Sequence, residues 1–322
     1  VWRMIRKTML TMLAIVIVMA GVGSVYQWVG SSKDKKLYQP VGKLYDVTDH
    51  KMHLYSGGQG ATTIVFASGW GTVNPYADFY SLYERLEPHA KVAVYDRFGY
   101  GFSDTTGRKR DIDTITDEIH ELLHVSGQKP PYIFVGHSLG SLETIRYAQR
   151  FPDEVKAILL VDGGSPEYYE SSVVLTFFPL ISRVLRTTGA MRALYHVDGF
   201  AEWMNDGNNE DLQLPEELQE LIRKGTLLKI GNRDMTDEMR RSKKNAGVVL
   251  NGQKPLDIPI TVLTADYFGK LSEDKRWMDS EAKLPNWSVS GKQIIVPDSS
   301  HYIHNYQPDL IVQELIELVK RK

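Results

Sequence analysis

Residues Pro131 to Tyr147 read PYIFVGHSLGSLETIRY. Tyr132 to Val135 form a short apolar run with β-rich composition, Gly136-His137-Ser138-Leu139-Gly140 follow, and Leu142, Ile145 and Tyr147 continue at roughly helical spacing. The pattern predicts a strand, a sharp turn and a helix. In G-x-S-x-G the turn is tight enough to need glycine on both flanks, which leaves the serine hydroxyl exposed at the strand's C-terminal end. The N–H of Leu139 opens the helix beside it, where partial positive charge can receive a developing oxyanion. Ser138 is therefore the candidate nucleophile. A glycine-rich connection without chemistry would match the same five letters; the predicted strand and helix on either side favour the functional reading.

Working upstream, Asp111 to Val125 places Ile112, Ile115, Ile119, Leu122 and Leu123 on one face of an amphipathic helix. Lys91 to Tyr95 reads as a buried strand, followed by Asp96 to Asp104. A helix is expected between Asp78 and His89. Ala61 to Ala67 is another interior strand, running into the glycine-rich loop Ser68-Gly69-Trp70-Gly71. From Gly42 to Gly57 two alternating runs separated by Thr48 to Lys51 predict a β-hairpin with one wetted face.

Downstream, Val155 to Val161 is a buried strand ending at Asp162. Roughly 90 residues without a clear strand follow, from Ser165 to Asp257, too many for a loop and so read as a helical insertion. It includes an Asn/Asp/Gly-rich break at Asn205 to Asp211. Ile258 to Leu263 and Gln293 to Val296 supply two more strands, and Pro308 to Lys320 a closing helix. Strands alternating with helices imply an α/β fold with a mostly parallel sheet of about eight strands, covered on both faces, with ligands binding beyond the strands' C-terminal ends.

The chain divides into a segment and linker over 1–36, a first core part over 37–164, the insertion over 165–257 and a second core part over 258–322. Arg3, Arg6 and Lys7 precede an uncharged stretch from Thr8 to Gly30 whose roughly 20 apolar residues suit a hydrocarbon core of about 30 Å. The expectation is an uncleaved anchor in a cell membrane with the larger part of the chain extracytoplasmic. A cleaved signal near Gly21 to Ser24, giving a secreted protein, and a buried core helix are the alternatives. Net charge is −2, from 38 basic and 40 acidic residues, so no broad basic face invites nucleic acid. With no cysteine there is no disulfide, thiol nucleophile or Cys-ligated metal.

A serine needs a base to take its proton and a carboxylate to orient that base. His301, after the last predicted strand, is the best placed of nine histidines; His304 lies one turn beyond, and His137 is read as packing beside the serine. Asp162 and Asp266 both stand at strand ends, and both fit the order Ser, Asp, His. A second oxyanion donor should come from the loop after Ala67, with the Trp70 N–H first and Gly71 next. Asp96 and Arg97 are read as bracing nearby turns.

These pieces resemble the α/β-hydrolase superfamily: GHSLG at 136–140, SGWG at 68–71, DRFGYGFSD at 96–104, SSHYIH at 299–304 and QPD at 307–309. The resemblance implies an eight-stranded sheet, a helical cap over 165–257 between strands six and seven, and a Ser-His-acid triad needing no cofactor or metal. Three positions depart from the pattern. Ser68 stands where many relatives carry histidine, Gly71 where many carry proline, and Asp266 directly follows Ala265 without the usual glycine spacing. Because a minority of relatives place the acid after strand six, Asp162 is favoured and Asp266 kept as rival.

The function expected is hydrolysis of a small-molecule carboxylic ester through an acyl-enzyme. Phe177, Phe178, Leu180, Ile181, Leu185, Met191, Leu194 and Tyr195 are candidates to line an apolar pocket. One alternative is an aminopeptidase like proline iminopeptidases, which needs cap carboxylates such as Glu167, Glu170 or Glu202 for a substrate amine. The other is a non-turnover sensor or partner-binding protein on the same fold. Oligomeric state is left open.

Overall fold

The computed structural model describes residues 2–204, 214–269 and 275–321. Its eight strands are β1 (Lys43–Val47), β2 (His50–Gly58), β3 (Thr63–Ala67), β4 (Lys91–Asp96), β5 (Tyr132–His137), β6 (Val155–Val161), β7 (Leu256–Ala265) and β8 (Ser288–Val296). They form one sheet in the order β1-β2-β4-β3-β5-β6-β7-β8. β1, β2 and β4 pair antiparallel and every later pairing is parallel. β5, which carries the predicted turn, lies mid-sheet, with Val135 opposite Phe66 on one side and Leu159 on the other.

The first hairpin turns on Thr48 and Asp49 alone, both at positive φ (46° and 66°), as a two-residue turn matching strand twist requires. His50 and Lys51, expected in the turn, instead pair with Val47 and Asp46. α1 (Trp2–Leu37) precedes the sheet. After β3 come α2 (Pro75–Asp78) and α3 (Tyr80–Leu86), starting earlier than expected because Asn74 caps α2 by accepting from the Ala77 N–H at 2.9 Å, with Pro75 at the first position. α4 (Ile112–Val125) and α5 (Gly140–Arg150) flank β5.

Period-two alternation splits β5 between two cores. Tyr132 and Phe134 pack with Ile115, Ile119 and Leu122 of α4, while Ile133 and Val135 face Leu82 and Leu86 of α3 on the opposite side. That second layer also holds Ile311 and Leu315 of the closing helix, Pro308–Lys320. Helices thus cover both faces.

Between β6 and β7 the described residues form α6 (Pro166–Ser171), α7 (Phe177–Thr187), α8 (Ala190–Leu194), α9 (Phe200–Met204), α10 (Glu216–Lys229) and α11 (Arg233–Asn251), with no strand among them. The break at 205–211 lies outside the described residues. α12 (Lys275–Glu281) follows β7; α13 (Ile303–Tyr306) and α14 (Pro308–Lys320) end the chain's described part. β8 begins at Ser288, well before the apolar stretch that announces it, because an edge strand paired with β7 alone can be polar over its exposed half.

α1 runs for 36 residues and is long and apolar enough to cross a membrane. None of its apolar window is buried, which rules out the core-helix alternative. Its later turns dock on the insertion: Gln27 Nε2 donates to the Leu227 carbonyl at 2.7 Å, and Arg192 on α8 donates to Asp34 at 2.6 Å.

Candidate active site

β5 ends at His137, and Ser138 turns the chain with φ of 51°, a left-handed conformation that is strained for a residue with a side chain. α5 starts two residues later. A Cβ on Gly140 would sit 2.5 Å from the Ala67 carbonyl oxygen, so only glycine lets the helix start so close to β3. Tyr169 on α6 lines the same small cavity as Ser138, and burial holds its phenol above its usual range and hence neutral.

Asp162 ends β6, also at positive φ (42°), and is fully buried. Its Oδ1 accepts from the Ala265 N–H at 3.0 Å. Its Oδ2 accepts from the Tyr267 hydroxyl at 2.7 Å and the Trp277 Nε1–H at 3.2 Å, and lies 2.6 Å from His301 Nδ1. On a carboxylate so supplied with donors, Nδ1 is the donor to Asp162, and Nε2 keeps the lone pair. The His301 side chain is one-third exposed, so Nε2 can meet a ligand. Its backbone carbonyl, 3.0 Å from His137 Nε2, fastens the loop against the elbow, and the two rings lie 4.8 Å apart. Ser138, His301 and Asp162 are thereby gathered at the C-terminal ends of β5, β6 and β8.

Asp266 stands elsewhere. Its Oδ1 accepts from the N–H groups of Phe268 at 3.0 Å and Ser299 at 3.2 Å. Burial works to raise this carboxyl, but backbone N–H groups of Ser299, Asp298, Phe268 and Gly269 outweigh it and hold it below the ordinary range. It caps a turn while Asp162 meets the imidazole.

The loop bearing Trp70 lies directly over the serine: a Cβ on Gly69 would sit 3.1 Å from Ser138 Cβ. Buried Arg97 donates to the carbonyls of Ser68 at 2.7 Å and Gly69 at 3.1 Å, and to Glu143 of α5 at 2.7 Å. A trans peptide directs its N–H opposite to its C=O, so the Gly69 carbonyl held by Arg97 turns the Trp70 N–H away from Arg97. Arg97 thus braces more than a nearby turn. Asp96 keeps to its own neighbourhood, accepting from the Phe102 N–H at 2.8 Å and facing His53 Nδ1 at 2.8 Å.

Two cavities share Trp70 as a lining residue, and the smaller of them adjoins the elbow. One of about 260 Å³ reaches Ser138 and Leu139, with Tyr169, Val173 and Leu175 around it. The other, about 630 Å³, is lined by Phe178, Ile181, Leu185, Met191 and Leu194 among others. Five of the eight expected pocket residues are therefore placed there. Phe177 and Leu180 instead face outward, each 55% exposed, and Tyr195 lines neither cavity. Of the cap carboxylates, Glu167 meets Trp287 Nε1 at 3.3 Å, Glu170 is exposed, neither lines a cavity, and the Glu202 side chain lies outside the described residues.

Sequence reasoning missed Tyr169, Trp277 and Glu281. Trp277 and Glu281 sit on α12, a seven-residue helix too short to show a period, though a tryptophan between the last two strands was a usable signal. Among the described residues, the grouping that could hold a cation is Asp78, His137 and His304, with ligand atoms within 4.8 Å of one another. His304 Nε2 is 3.4 Å from Asp78 Oδ1.

Fully buried Glu281, whose two carboxyl oxygens meet no hydrogen-bond partner, has its carboxyl pushed well above the ordinary range, first by burial and then by the charge of Asp162. The folded protein keeps this proton, whereas the unfolded chain releases it above about pH 4.3. Stability contributed by the neutral form is full below that pH and declines as pH rises toward the folded value. Glu281→Gln should remove the slope: equal relative stability below about pH 4, and a growing advantage for the variant as pH rises above it, read from thermal unfolding at a series of pH values.

A family model described as alpha/beta hydrolase fold matches residues 62–188. The uncharacterized protein YbdG of Bacillus subtilis is 29% identical over 99% of this chain and 98% of its own. The solved structure of Cfl2 from Burkholderia cenocepacia superposes with a TM-score of 0.67 at 17% identity, covering 86% of this chain and 95% of that one. An enol-lactonase from Burkholderia xenovorans does so at 0.62 and 16% identity, covering 87% and 100%. With a sheet of eight strands in this order, helices on both faces and these likenesses, the chain has the α/β-hydrolase fold.

Proposed function

We propose that the protein is a serine hydrolase that cleaves a carboxylic ester by way of an acyl-enzyme. The observation that carries this reading is the 2.6 Å contact from His301 Nδ1 to Asp162 on a loop fastened beside the Ser138 turn. His301 Nε2 takes the Ser138 hydroxyl proton as the oxygen attacks the ester carbonyl. Asp162 holds the imidazole in that tautomer and stabilises the imidazolium. The N–H groups of Leu139 and Trp70 receive the oxyanion; one such donor is worth about 10²- to 10³-fold in rate. The imidazolium then protonates the departing alcohol, and water activated by the same nitrogen releases the acid and restores Ser138.

The mainly apolar 630 Å³ cavity suits an acyl or alcohol group; the carboxylate that lines it among the described residues is Asp78, which faces His304 at 3.4 Å, and none comes from the insertion. α1 serves as a membrane anchor that holds the catalytic domain on the extracytoplasmic side; a cleaved and secreted form is the alternative. The test is p-nitrophenyl ester turnover with rapid mixing, for which the account expects a burst of about one p-nitrophenolate per chain. No turnover on any chain length would favour a sensor or binding protein.

Filling the larger cavity should change chain-length preference. Leu185→Trp is expected to lower kcat/KM on a twelve-carbon acyl ester by about tenfold or more, since each methylene left unburied forfeits about 0.8 kcal/mol. Rates on the acetyl ester should move little, as the paired assays would show.

A further inference from the structure

α7 is an inside-out surface helix. On an ordinary surface helix the outward face is polar and the apolar stripe faces the core. Here Phe177, Leu180 and Val184, spaced i, i+3, i+7, are each at least half exposed and line neither cavity. Its cations turn inward. Arg183 Nε donates to the Gly231 carbonyl at 3.1 Å and Arg186 Nε to that of Ile230 at 2.8 Å. The adjacent stripe Phe178, Ile181 and Leu185 lines the 630 Å³ cavity, and Phe178 and Ile181 are themselves about half exposed, so they stand at its mouth.

This outward face is continuous with the apolar part of α1. The chain leaving α7 at Thr188 and Gly189 touches Gly23 so closely that a Cβ on Gly23 would overlap the Thr188 carbonyl. N-terminal to that contact, α1 is exposed and apolar, as at Leu13, Val18 and Val22. Roughly 20 residues at about 1.5 Å each reach across a hydrocarbon core, which sets the membrane boundary near Gly23 and beside the end of α7.

We propose that the outward stripe of α7 seats in the lipid interface next to α1, and that the ester cleaved at Ser138 is a long-chain acyl ester drawn from the bilayer between Phe178 and Ile181. This rests on the esterase and anchor readings above. Lipid is the occupant because the stripe carries no charge and adjoins the span. An amphipathic helix binds such an interface through its buried apolar area.

The chain has no cysteine, so a single introduced one can be labelled cleanly. Leu13→Cys on α1, Leu180→Cys on α7 and Asp153→Cys at an exposed position of the 3₁₀ turn Pro152–Glu154, each in the full chain with an environment-sensitive fluorophore, are reconstituted in phosphatidylcholine vesicles. Doxyl-labelled phosphatidylcholine should quench the labels at 13 and 180 and leave that at 153 unchanged. Quenching at 13 without quenching at 180 overturns the docking of α7 while sparing the anchor; a label at 180 that is shielded yet unquenched by lipid overturns it in favour of a second protein copy. No quenching at 13 overturns both.

The combined variant Phe177→Ser, Leu180→Ser, Val184→Ser should cleave a vesicle-borne long-chain ester at least about tenfold more slowly, with p-nitrophenyl acetate turnover unchanged. Equal vesicle rates overturn the proposal. A wild type inactive on every ester instead sinks the esterase reading, and with it this ester's route from the bilayer, separately from the labelling result.

Discussion

Replacing Ser138 with alanine is expected to lower kcat on p-nitrophenyl esters by about 10⁵- to 10⁶-fold, with a thermal midpoint close to wild type. The loss is large because no other group can form the acyl bond. The residual rate would come from oxyanion donors and positioning, typically about 10³-fold over water. The fold should tolerate the change, because the turn is held by backbone bonds such as Ser141 N–H to the Ser138 carbonyl at 3.1 Å. A much smaller rate loss would mean that another nucleophile serves.

Asp162→Asn is expected to cost about 10⁴-fold in kcat, because an amide facing Nδ1 favours the tautomer whose Nε2 carries a proton and cannot accept one from serine. Stability should fall as well. Asp162 also accepts from Ala265, Tyr267 and Trp277, and an Asn side chain has a single acceptor oxygen for them, at about 1–3 kcal/mol for each buried donor left unpaired. Asp266→Asn is the contrast. The retained Asn oxygen can still accept from the Phe268 N–H and from the Ser299 N–H in the turn before His301, so kcat should change only a few-fold. Rates measured on both variants, alongside their unfolding midpoints, separate the acid that faces the imidazole from the one that braces its loop.

The difference between these aspartates also shows where the sequence stops being informative. The turn at Ser138 was legible because it is local: two glycines, a β-rich run before and a helical period after fix a geometry with few alternatives. The hairpin, the interior strands and the amphipathic α4 follow from period alone. Asp162 and Asp266 look alike in sequence, each just beyond a strand. What distinguishes them is the left-handed backbone at 162 and donors from Tyr267 and Trp277, more than a hundred residues further on. Ser138 and Tyr169 sharing one cavity, and Arg97 holding the Ser68–Gly69 carbonyls, bring together segments that share no pattern. In the insertion, apolar residues of α7 were visible as a group, but their division into a cavity stripe and an outward stripe depends on how Arg183 and Arg186 anchor the helix.

Intact-protein mass spectrometry after exposure to a fluorophosphonate tests the nucleophile most directly. The account predicts a single phosphonyl adduct on wild type, mapped to the peptide containing Ser138, absent from Ser138→Ala and formed far more slowly by Asp162→Asn. A wild type that takes up no adduct, or a Ser138→Ala variant labelled as fast as wild type, would contradict it.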